Sequence, residues 1–124
     1  LATSSPSYPI DLYDKFVKAK KIKGTRYMHM YVPCPPGWGF ETKDTIKTGK
    51  LAVETGVVVL FEIENGKFRF TGRSKNLAER GNRLPVINYL EKQGRFRKMN
   101  IEQLNQQQAW VDAKWEEYMR RASS

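Results

Sequence analysis

Residues 9–33, PIDLYDKFVKAKKIKGTRYMHMYVP, decide the fold because they join a helical pattern to a strand pattern. The apolar residues that share one helical face are Leu12, Tyr13, Phe16 and Val17. Pro9 suits the first helical position and Gly24 suits the stop, so we expect a helix over residues 9–22. Residues 26–33 alternate and are rich in β-forming residues, which predicts a strand directly after the helix.

The residues before this helix, LATSSPSYP, resemble the end of a strand that enters a loop. A strand, a helix and a strand in succession predict a parallel βαβ unit whose first strand is mostly missing. The first residue is Leu1, so we expect the sequence to be the C-terminal part of a longer protein. The loop TSSPS and the loop after residue 33 would then leave the sheet at the edge where open α/β sheets bind ligands.

The middle of the chain predicts a helix and a hairpin. Residues 43–55 read as a helix, with Thr42 as a plausible N-cap and Gly56 as its stop. Two β-rich runs then flank Asn65-Gly66, which is a strong signal for a two-residue hairpin turn.

The last third of the chain reads as mainly helical. Residues 73–84 are polar and are expected to be irregular, whereas Pro85 should begin a short helix that closes at Gly94. The apolar stripe that predicts a final helix over residues 101–121 consists of Ile101, Leu104, Val111, Trp115 and Tyr118. The predicted fold class is therefore α/β, with a parallel βαβ unit, a β-hairpin and C-terminal helices.

The amino-acid composition limits the size class of the protein, its cellular compartment and its possible binding partners. The chain has 124 residues, a net charge of +9 and 40% hydrophobic residues, so it forms one domain or part of one and can bury a core. No apolar run approaches the roughly 20 residues that span a bilayer, and no signal peptide is visible. A lone cysteine cannot form an internal disulfide, which favours a reducing, cytoplasmic setting. The basic excess suggests nucleic acid as a partner, but the lysines and arginines form no long block, which disfavours it.

The lone cysteine lies in an unusually stiff loop, YVPCPPGWGF, at residues 31–40. A single cysteine is most often a small buried hydrophobe, but the neighbouring prolines fix φ on both sides of Cys34, and a core thiol gains nothing from that. A thiolate that binds a metal, in contrast, benefits from being held at a fixed angle. An iron–sulfur cluster needs about four such ligands, so the other three would lie elsewhere. Trp38 is either a cover for such a site or an anchor of the loop on the core.

Other chemistry at this loop is disfavoured. Nucleophilic catalysis by Cys34 needs a nearby base, and His29, the only histidine, is expected on the opposite face of its strand. One cysteine and one histidine cannot build a four-ligand zinc site. No P-loop or dinucleotide-binding glycine pattern appears, and no carboxylates form a recognisable acid–base pair.

Four sequence motifs together carry a resemblance to a known family. They are ATSSPSYP at residues 2–9, PCPPGWGF at 33–40, GKLAVETGVVVLFEIENGKF at 49–68 and RLPVINYLEKQGRF at 83–96. Their order and spacing resemble the C-terminal part of the thiamine-diphosphate-binding beta subunit of 2-oxoacid:ferredoxin oxidoreductases, the pyruvate synthase group. One departure is Pro36, where the family commonly has Thr.

The resemblance implies an activity and a role for Cys34. Enzymes of this family decarboxylate a 2-oxoacid on thiamine diphosphate, pass electrons through [4Fe–4S] clusters to ferredoxin and transfer the acyl group to coenzyme A. The cysteine that matches Cys34 is the fourth ligand of the cluster nearest to thiamine. The resemblance also implies a hetero-oligomer, with the remainder of the beta subunit and other oxidoreductase subunits as partners. No membrane is involved, and nucleic acid is disfavoured.

The family's other cluster cysteines and its Gly-Asp-Gly motif for Mg²⁺ and diphosphate lie upstream of the matching region. The resemblance therefore implies that this segment alone is inactive, and that thiamine diphosphate, Mg²⁺ and the cluster all need residues outside it. It implies that residues 1–72 are the C-terminal portion of the thiamine-diphosphate-binding α/β domain. Residues 73–124 would form a helical extension that docks on other subunits.

Two alternatives remain open at this point. One is a small basic module that binds nucleic acid, for which affinity should fall steeply with salt. The other is a non-catalytic assembly subunit that docks through the Gln-rich final helix. The sequence does not select among 2-oxoacids, and it assigns no thiamine contact to Thr3, Ser4 or Ser5.

Overall fold

The computed structural model of the chain describes all of its residues, 1–124. It confirms the predicted βαβ unit, which consists of β1 (Ala2–Ser4), α1 (Pro9–Lys21) and β2 (Met28–Met30). The two strands pair in parallel, with Ala2 opposite Met28 and Ser4 opposite Met30. Strand β2 is shorter than the predicted 26–33, because it is an edge strand and its one neighbour has only three residues to pair with it.

The predicted hairpin is also confirmed. Strands β3 (Phe61–Glu64) and β4 (Lys67–Phe70) pair antiparallel around Asn65 and Gly66, which both have positive φ, at 51° and 77°. Two positive φ angles are what the tight type I′ turn requires. Strand β3 also pairs antiparallel with β1, so the sheet is mixed and has the order β2-β1-β3-β4.

The helical bounds follow the predictions with several differences. The helices after β2 are α2 (Pro35–Trp38), α3 (Thr45–Glu54), α4 (Gly72–Arg80), α5 (Ile87–Leu90) and α6 (Ile101–Ser123). The prediction of Thr42 as N-cap was wrong: a 3₁₀ turn over Thr42–Asp44 precedes α3, which places Asp44 at the cap. Helix α5 is shorter than predicted, and Gly94 begins a second 3₁₀ turn, Gly94–Phe96.

Residues 73–84 were expected to be irregular, and this was wrong for most of them. They contribute to α4, which buries only Ser74 and Leu77 and exposes most of its polar residues. The Ser74 hydroxyl accepts a 2.8 Å hydrogen bond from the buried Leu60 N–H. This bond ties α4 to the residue that directly precedes β3. Such a narrow buried face produces almost no apolar periodicity, and therefore the sequence pattern did not reveal the helix.

The core lies between the hairpin and the C-terminal helices. Trp115 of α6 stacks on Phe70 of β4, with ring centroids 5.2 Å apart, and its indole N–H donates to the Gly56 carbonyl at 2.9 Å. Val111 is buried beside it, but Ile101 is 72% exposed, so its assignment to the buried stripe was wrong. Leu104, in the first turn, packs against the core, whereas Ile101 at the start of the helix stays exposed.

Helix α1 departs from its predicted apolar face in the same way. Tyr13 and Phe16 are exposed, whereas Lys15 is buried. The Lys15 ammonium donates to the Thr3 carbonyl at 2.7 Å and to the Asp11 carboxylate at 2.6 Å, so its charge is paired. Burial lowers the pKa of Lys15, although the Asp11 carboxylate opposes that effect. The helix is therefore held to β1 partly by the hydrogen bond from the buried Lys15 ammonium to the Thr3 carbonyl, while the ion pair with Asp11 lies within α1.

None of the helices is both long enough and apolar enough to cross a lipid bilayer.

Candidate functional site

Two loops leave the same edge of the sheet. Strand β1 ends at Ser4, and the Tyr31 N–H donates to the Ser4 carbonyl at 2.9 Å just after β2 ends. The loop after Ser4 and the loop after Tyr31 therefore emerge side by side, as the parallel pairing predicted. We call residues 33–40 the Cys34 loop.

The Cys34 loop contains one helical turn that the sequence did not predict. Cys34 is extended, with φ −117° and ψ 98°, and occupies the N-cap position of α2, whose first residue is Pro35. The Trp38 N–H donates to the Cys34 carbonyl at 3.0 Å, and Gly39 ends the turn in the left-handed conformation. Because proline fits the first turn of a helix without loss of a hydrogen bond, the prolines support this turn rather than oppose it.

The thiol of Cys34 is exposed and makes no hydrogen bond within the chain. A Cβ added at Gly37 would lie 3.2 Å from Cys34 Sγ, so the glycine leaves open the space beside the sulfur. Thiolate sulfur is the usual protein ligand of iron–sulfur clusters. No three His, Cys, Asp or Glu side chains of this chain come together at a possible metal site. The chain thus fits the role of supplying one sulfur to a group whose other ligands lie elsewhere.

Helix α3 holds the two loops together at Gly49. A Cβ at this position would lie 1.9 Å from the Ser7 hydroxyl oxygen and 3.4 Å from Pro33. Ser7 belongs to the first loop and Pro33 begins the second, so the bare backbone of α3 contacts both. Only glycine allows an approach this close.

The hydroxyl groups of the first loop differ in their bonding. Thr3 is fully used in the sheet, because its hydroxyl donates to Val59 O at 2.6 Å and accepts from Phe61 N–H at 2.9 Å. The Ser4 hydroxyl is buried and has no hydrogen-bond partner. Ser5 accepts a bond from the Ser7 N–H at 3.3 Å. Ser4 is therefore the residue of this loop whose hydroxyl is fully buried and lacks a hydrogen-bond partner.

Trp38 packs as an anchor of the Cys34 loop, which is the second of the two interpretations that the sequence left open. Its ring lies 5.5 Å from the Tyr31 ring and 6.4 Å from the Phe40 ring. The guanidinium carbon of Arg95 lies over the Trp38 ring, 4.0 Å from its centroid. Trp38 therefore contacts both Tyr31, which follows β2, and Arg95, which lies much later in the chain.

That later segment also contacts the loop through its backbone. The Gly94 N–H donates to the Gly39 carbonyl at 2.8 Å. A Cβ at Gly39 would lie 3.0 Å from Gly94 Cα, so the two backbones are in direct contact. We call residues 93–96, with the sequence QGRF, the QGRF segment.

Comparison with known proteins now bears on this site. No protein-family model matches the chain. The pyruvate synthase subunit PorB of Methanothermobacter marburgensis is 45% identical over 113 residues, which are 91% of this chain and 37% of that subunit. The chain is homologous to the C-terminal part of 2-oxoacid:ferredoxin oxidoreductase beta subunits.

Other subunits of this family match a similar share of the chain. The ketoisovalerate oxidoreductase subunit VorB of Pyrococcus abyssi is 38% identical over 93% of the chain and 36% of its own length. The pyruvate synthase subunit PorB of Thermotoga maritima is 34% identical over 93% of the chain and 35% of its own length. The chain thus spans little more than a third of the length of these beta subunits.

His29 forms no hydrogen bond with Cys34. It is exposed on β2 and lines a cavity with Ser4, Trp110 and Lys114, and Cys34 is not part of that cavity. A base for nucleophilic catalysis must be within hydrogen-bond reach of the thiol.

Sequence reasoning missed a polar cluster beside the first loop. The Glu54 carboxylate accepts bonds from Arg73 at 2.7 and 3.0 Å and from the Tyr8 hydroxyl at 3.3 Å. Burial, and after it the Glu54 carboxylate, raises the pKa of Tyr8 above its usual range. These three residues lie far apart in the sequence, and no local pattern connects them. Together they tie the loop before α1 to the end of α3 and the start of α4.

Proposed function

We propose that the chain is part of the beta subunit of a 2-oxoacid:ferredoxin oxidoreductase that acts on pyruvate. The observation that carries this proposal is the 45% identity over nine-tenths of the chain with a pyruvate synthase subunit. Identity with the ketoisovalerate oxidoreductase subunit of P. abyssi is lower, at 38% over a similar span. The pyruvate synthase subunit of T. maritima is 34% identical, below the ketoisovalerate subunit, so the choice of pyruvate rests on the two Methanothermobacter subunits at 45%.

In this proposal Cys34 is one ligand of a [4Fe–4S] cluster. Its exposed sulfur, the open space at Gly37 and the stiff loop around it support that role. Thiamine diphosphate with Mg²⁺ supplies an electron sink for decarboxylation, and the cluster accepts electrons that pass on to ferredoxin, with coenzyme A as acyl acceptor. Thiamine diphosphate, Mg²⁺ and the cluster all need residues outside this chain, so the segment alone is inactive.

The chain's own contribution is to place the two loops beside each other. Gly49 of α3 contacts Ser7 of the first loop and Pro33 of the second, which fixes their spacing. The buried and unpaired Ser4 hydroxyl stands at the same edge. Residues 1–72 would thus complete a thiamine-diphosphate-binding α/β domain and aim the Cys34 sulfur toward it.

Residues 73–124 serve as the helical extension that docks on other subunits. The first turns of α6 leave apolar side chains exposed, among them Ile101 and Trp110. Such side chains gain free energy when a partner surface covers them. The cytoplasmic setting rests on the lone, unpaired cysteine and stays a prediction.

The decisive experiment is Cys34→Ala in the assembled complex, with paramagnetic resonance of the dithionite-reduced enzyme. We expect the loss of one cluster signal and of the iron that belongs to it. Pro36→Thr is the matched control, because Pro36 is exposed in the same loop and Thr is the common family residue there. A Cys34→Ala spectrum and iron content equal to those of Pro36→Thr would remove the ligand assignment.

Substrate choice is tested separately. The purified complex is assayed with pyruvate, 2-oxoisovalerate and 2-oxoglutarate, in the presence of coenzyme A and an artificial electron acceptor. We expect the highest kcat/KM with pyruvate. A higher value with either other acid would contradict the choice of pyruvate while leaving the family assignment intact.

A further inference from the structure

Arg95 contacts the Cys34 loop and its own segment at the same time. Its guanidinium carbon lies 4.0 Å from the centroid of the Trp38 ring. Its Nε–H donates to Gln93 Oε1 at 2.9 Å, and Nη2 donates to the Tyr89 hydroxyl at 3.2 Å. A planar guanidinium can stack and donate sideways at once, which an ammonium group cannot do.

The two side chains that accept hydrogen bonds from Arg95 are themselves held in place. Tyr89 and Gln93 are almost fully buried, and the Gln93 amide donates to the Tyr89 carbonyl at 2.9 Å, which leaves its oxygen for Arg95. The Tyr89 hydroxyl is also hydrogen-bonded to the Tyr31 hydroxyl, just before the Cys34 loop. Arg95 is exposed at the surface, and its hydrogen bonds to the buried Gln93 and Tyr89 side chains orient its guanidinium.

Arg95 also differs from several other arginines in its charge partners. Arg69, Arg73 and Arg83 each pair with a carboxylate within this chain, whereas Arg95 pairs with none. Its other contacts are neutral groups, the Trp38 and Phe96 rings among them. A contact that only stabilised the fold could use a carboxylate. The observed arrangement instead directs the guanidinium onto Trp38, four residues after Cys34.

We propose that Arg95 is a positioning residue for the Cys34 loop: by stacking on Trp38, which also packs against Tyr31, it fixes the helical turn whose N-cap is Cys34 and so the direction of the sulfur. The consequence at a cluster rests on the function proposed above. The Gly94–Gly39 hydrogen bond adds a second attachment of the same segment to the same turn. Groups that orient a metal ligand change the affinity and potential of the metal even when they do not touch it.

The test uses three variants in the assembled complex. Arg95→Met keeps an unbranched apolar stem but removes the planar charge, and Arg95→Lys keeps the charge but loses the plane. Arg97→Met is the matched control, because Arg97 is exposed in the same region and its side chain forms no hydrogen bond or ion pair. Unchanged amide exchange in α6 establishes that each variant is folded.

The first measurement is amide hydrogen exchange in peptides that cover residues 34–40, which does not depend on any cofactor. The Trp38 and Gly39 N–H groups are protected by the helical turn. Loss of the cation–π contact with Trp38 and of two charged hydrogen bonds should speed their exchange on the order of tenfold in Arg95→Met. Arg97→Met should match the wild type, and Arg95→Lys should recover less than half of the protection.

The second measurement is the midpoint potential and paramagnetic spectrum of the cluster that Cys34→Ala removes. We expect Arg95→Met to change both, and Arg97→Met to change neither. The proposal would be overturned if amide exchange in Arg95→Met equalled that of the wild type. It would also be overturned if the loop exchanged faster while the spectrum and potential of the cluster stayed unchanged, or if Arg95→Lys restored the protection in full. If Cys34→Ala leaves every cluster intact, the ligand assignment fails instead, and the exchange result alone decides whether Arg95 holds the loop.

Discussion

Gly39 and Gly94 meet backbone to backbone: the Gly94 N–H donates to the Gly39 carbonyl at 2.8 Å. A Cβ on Gly39 would come within 3.0 Å of both Gly94 Cα and Gly94 N. The loop that contains the lone cysteine and the QGRF segment, which are distant in the sequence, thus meet in one backbone contact. A Cβ on Gly94 would in turn lie 3.2 Å from the Gly39 carbonyl oxygen, so both positions favour glycine.

Gly39→Ala should therefore destabilise the subunit that contains this chain. Gly39 has φ 76°, so alanine there costs about 1–2 kcal/mol of left-handed strain and adds overpacking that costs about 1–3 kcal/mol. Gly66→Ala is the matched control, because Gly66 has φ 77° but no atom within 4 Å of the added Cβ. Urea unfolding midpoints compare the two variants. Equal losses would mean that the contact with Gly94 contributes nothing.

Ser74→Ala should unfold at a lower urea concentration than the wild type. The change leaves the buried Leu60 N–H without its acceptor, which costs about 1–3 kcal/mol in the free energy of unfolding. Asn76→Ala lies on the same helix at an exposed position and should change the free energy by less than about 0.5 kcal/mol. A Ser74→Ala variant as stable as Asn76→Ala would refute the attachment of α4 through this hydroxyl.

Trp115→Phe tests the attachment of α6. Phenylalanine keeps the stacking on Phe70 but cannot donate to the Gly56 carbonyl, which is buried under the indole. We expect a loss of about 1–3 kcal/mol in the free energy of unfolding. Trp110→Phe, at a position that is 55% exposed, should be close to neutral. Similar unfolding midpoints for the two variants would contradict a role for the indole hydrogen bond.

Glu62 should make stability depend on pH in the acid range. Burial raises the pKa of Glu62, but hydrogen bonds from Lys18 and Arg69 outweigh that effect and hold the pKa below its ordinary value of 4.5. A carboxylate with a lowered pKa stabilises the fold above about pH 4.5, and this contribution is lost as the pH falls through its value in the folded state.

Glu62→Gln removes that titration. Its melting temperature should be lower than that of the wild type at pH 7, and the difference should shrink as the pH is lowered from 4.5 toward 3. Glu79→Gln is the control, since Glu79 is exposed and forms no ion pair. A constant difference between Glu62→Gln and wild type across this range would show that Glu62 does not titrate as described.

The elements that sequence reasoning predicted correctly are those with local signals. The hairpin follows from Asn65-Gly66, because only residues that tolerate positive φ can form its turn. Helix α1 follows from Pro9 and a periodic stripe, although Tyr13 and Phe16 of that stripe are exposed. Helix α4 has no such signal, since Ser74 and Leu77 are its only buried residues.

The candidate site likewise combines features that are visible in the sequence with features that appear only in the fold. Cys34 stands out in the sequence because prolines stiffen the chain around it, and their effect on φ is local. Which residues steady that loop could not be read from the sequence. Gly49, Gly94 and Arg95 act through contacts between distant segments, and no spacing along the chain encodes those contacts.

The sequence by itself determined the βαβ unit, the hairpin, the final helix and the stiff loop that carries the only thiol, because turn residues and periodicity act over a few neighbouring positions. Only the tertiary structure decided that α4 is a helix, that α6 is anchored to Gly56, and that Arg95 closes over Trp38. The physical reason is that these features depend on hydrogen bonds and close packing between residues that meet only after the chain has folded.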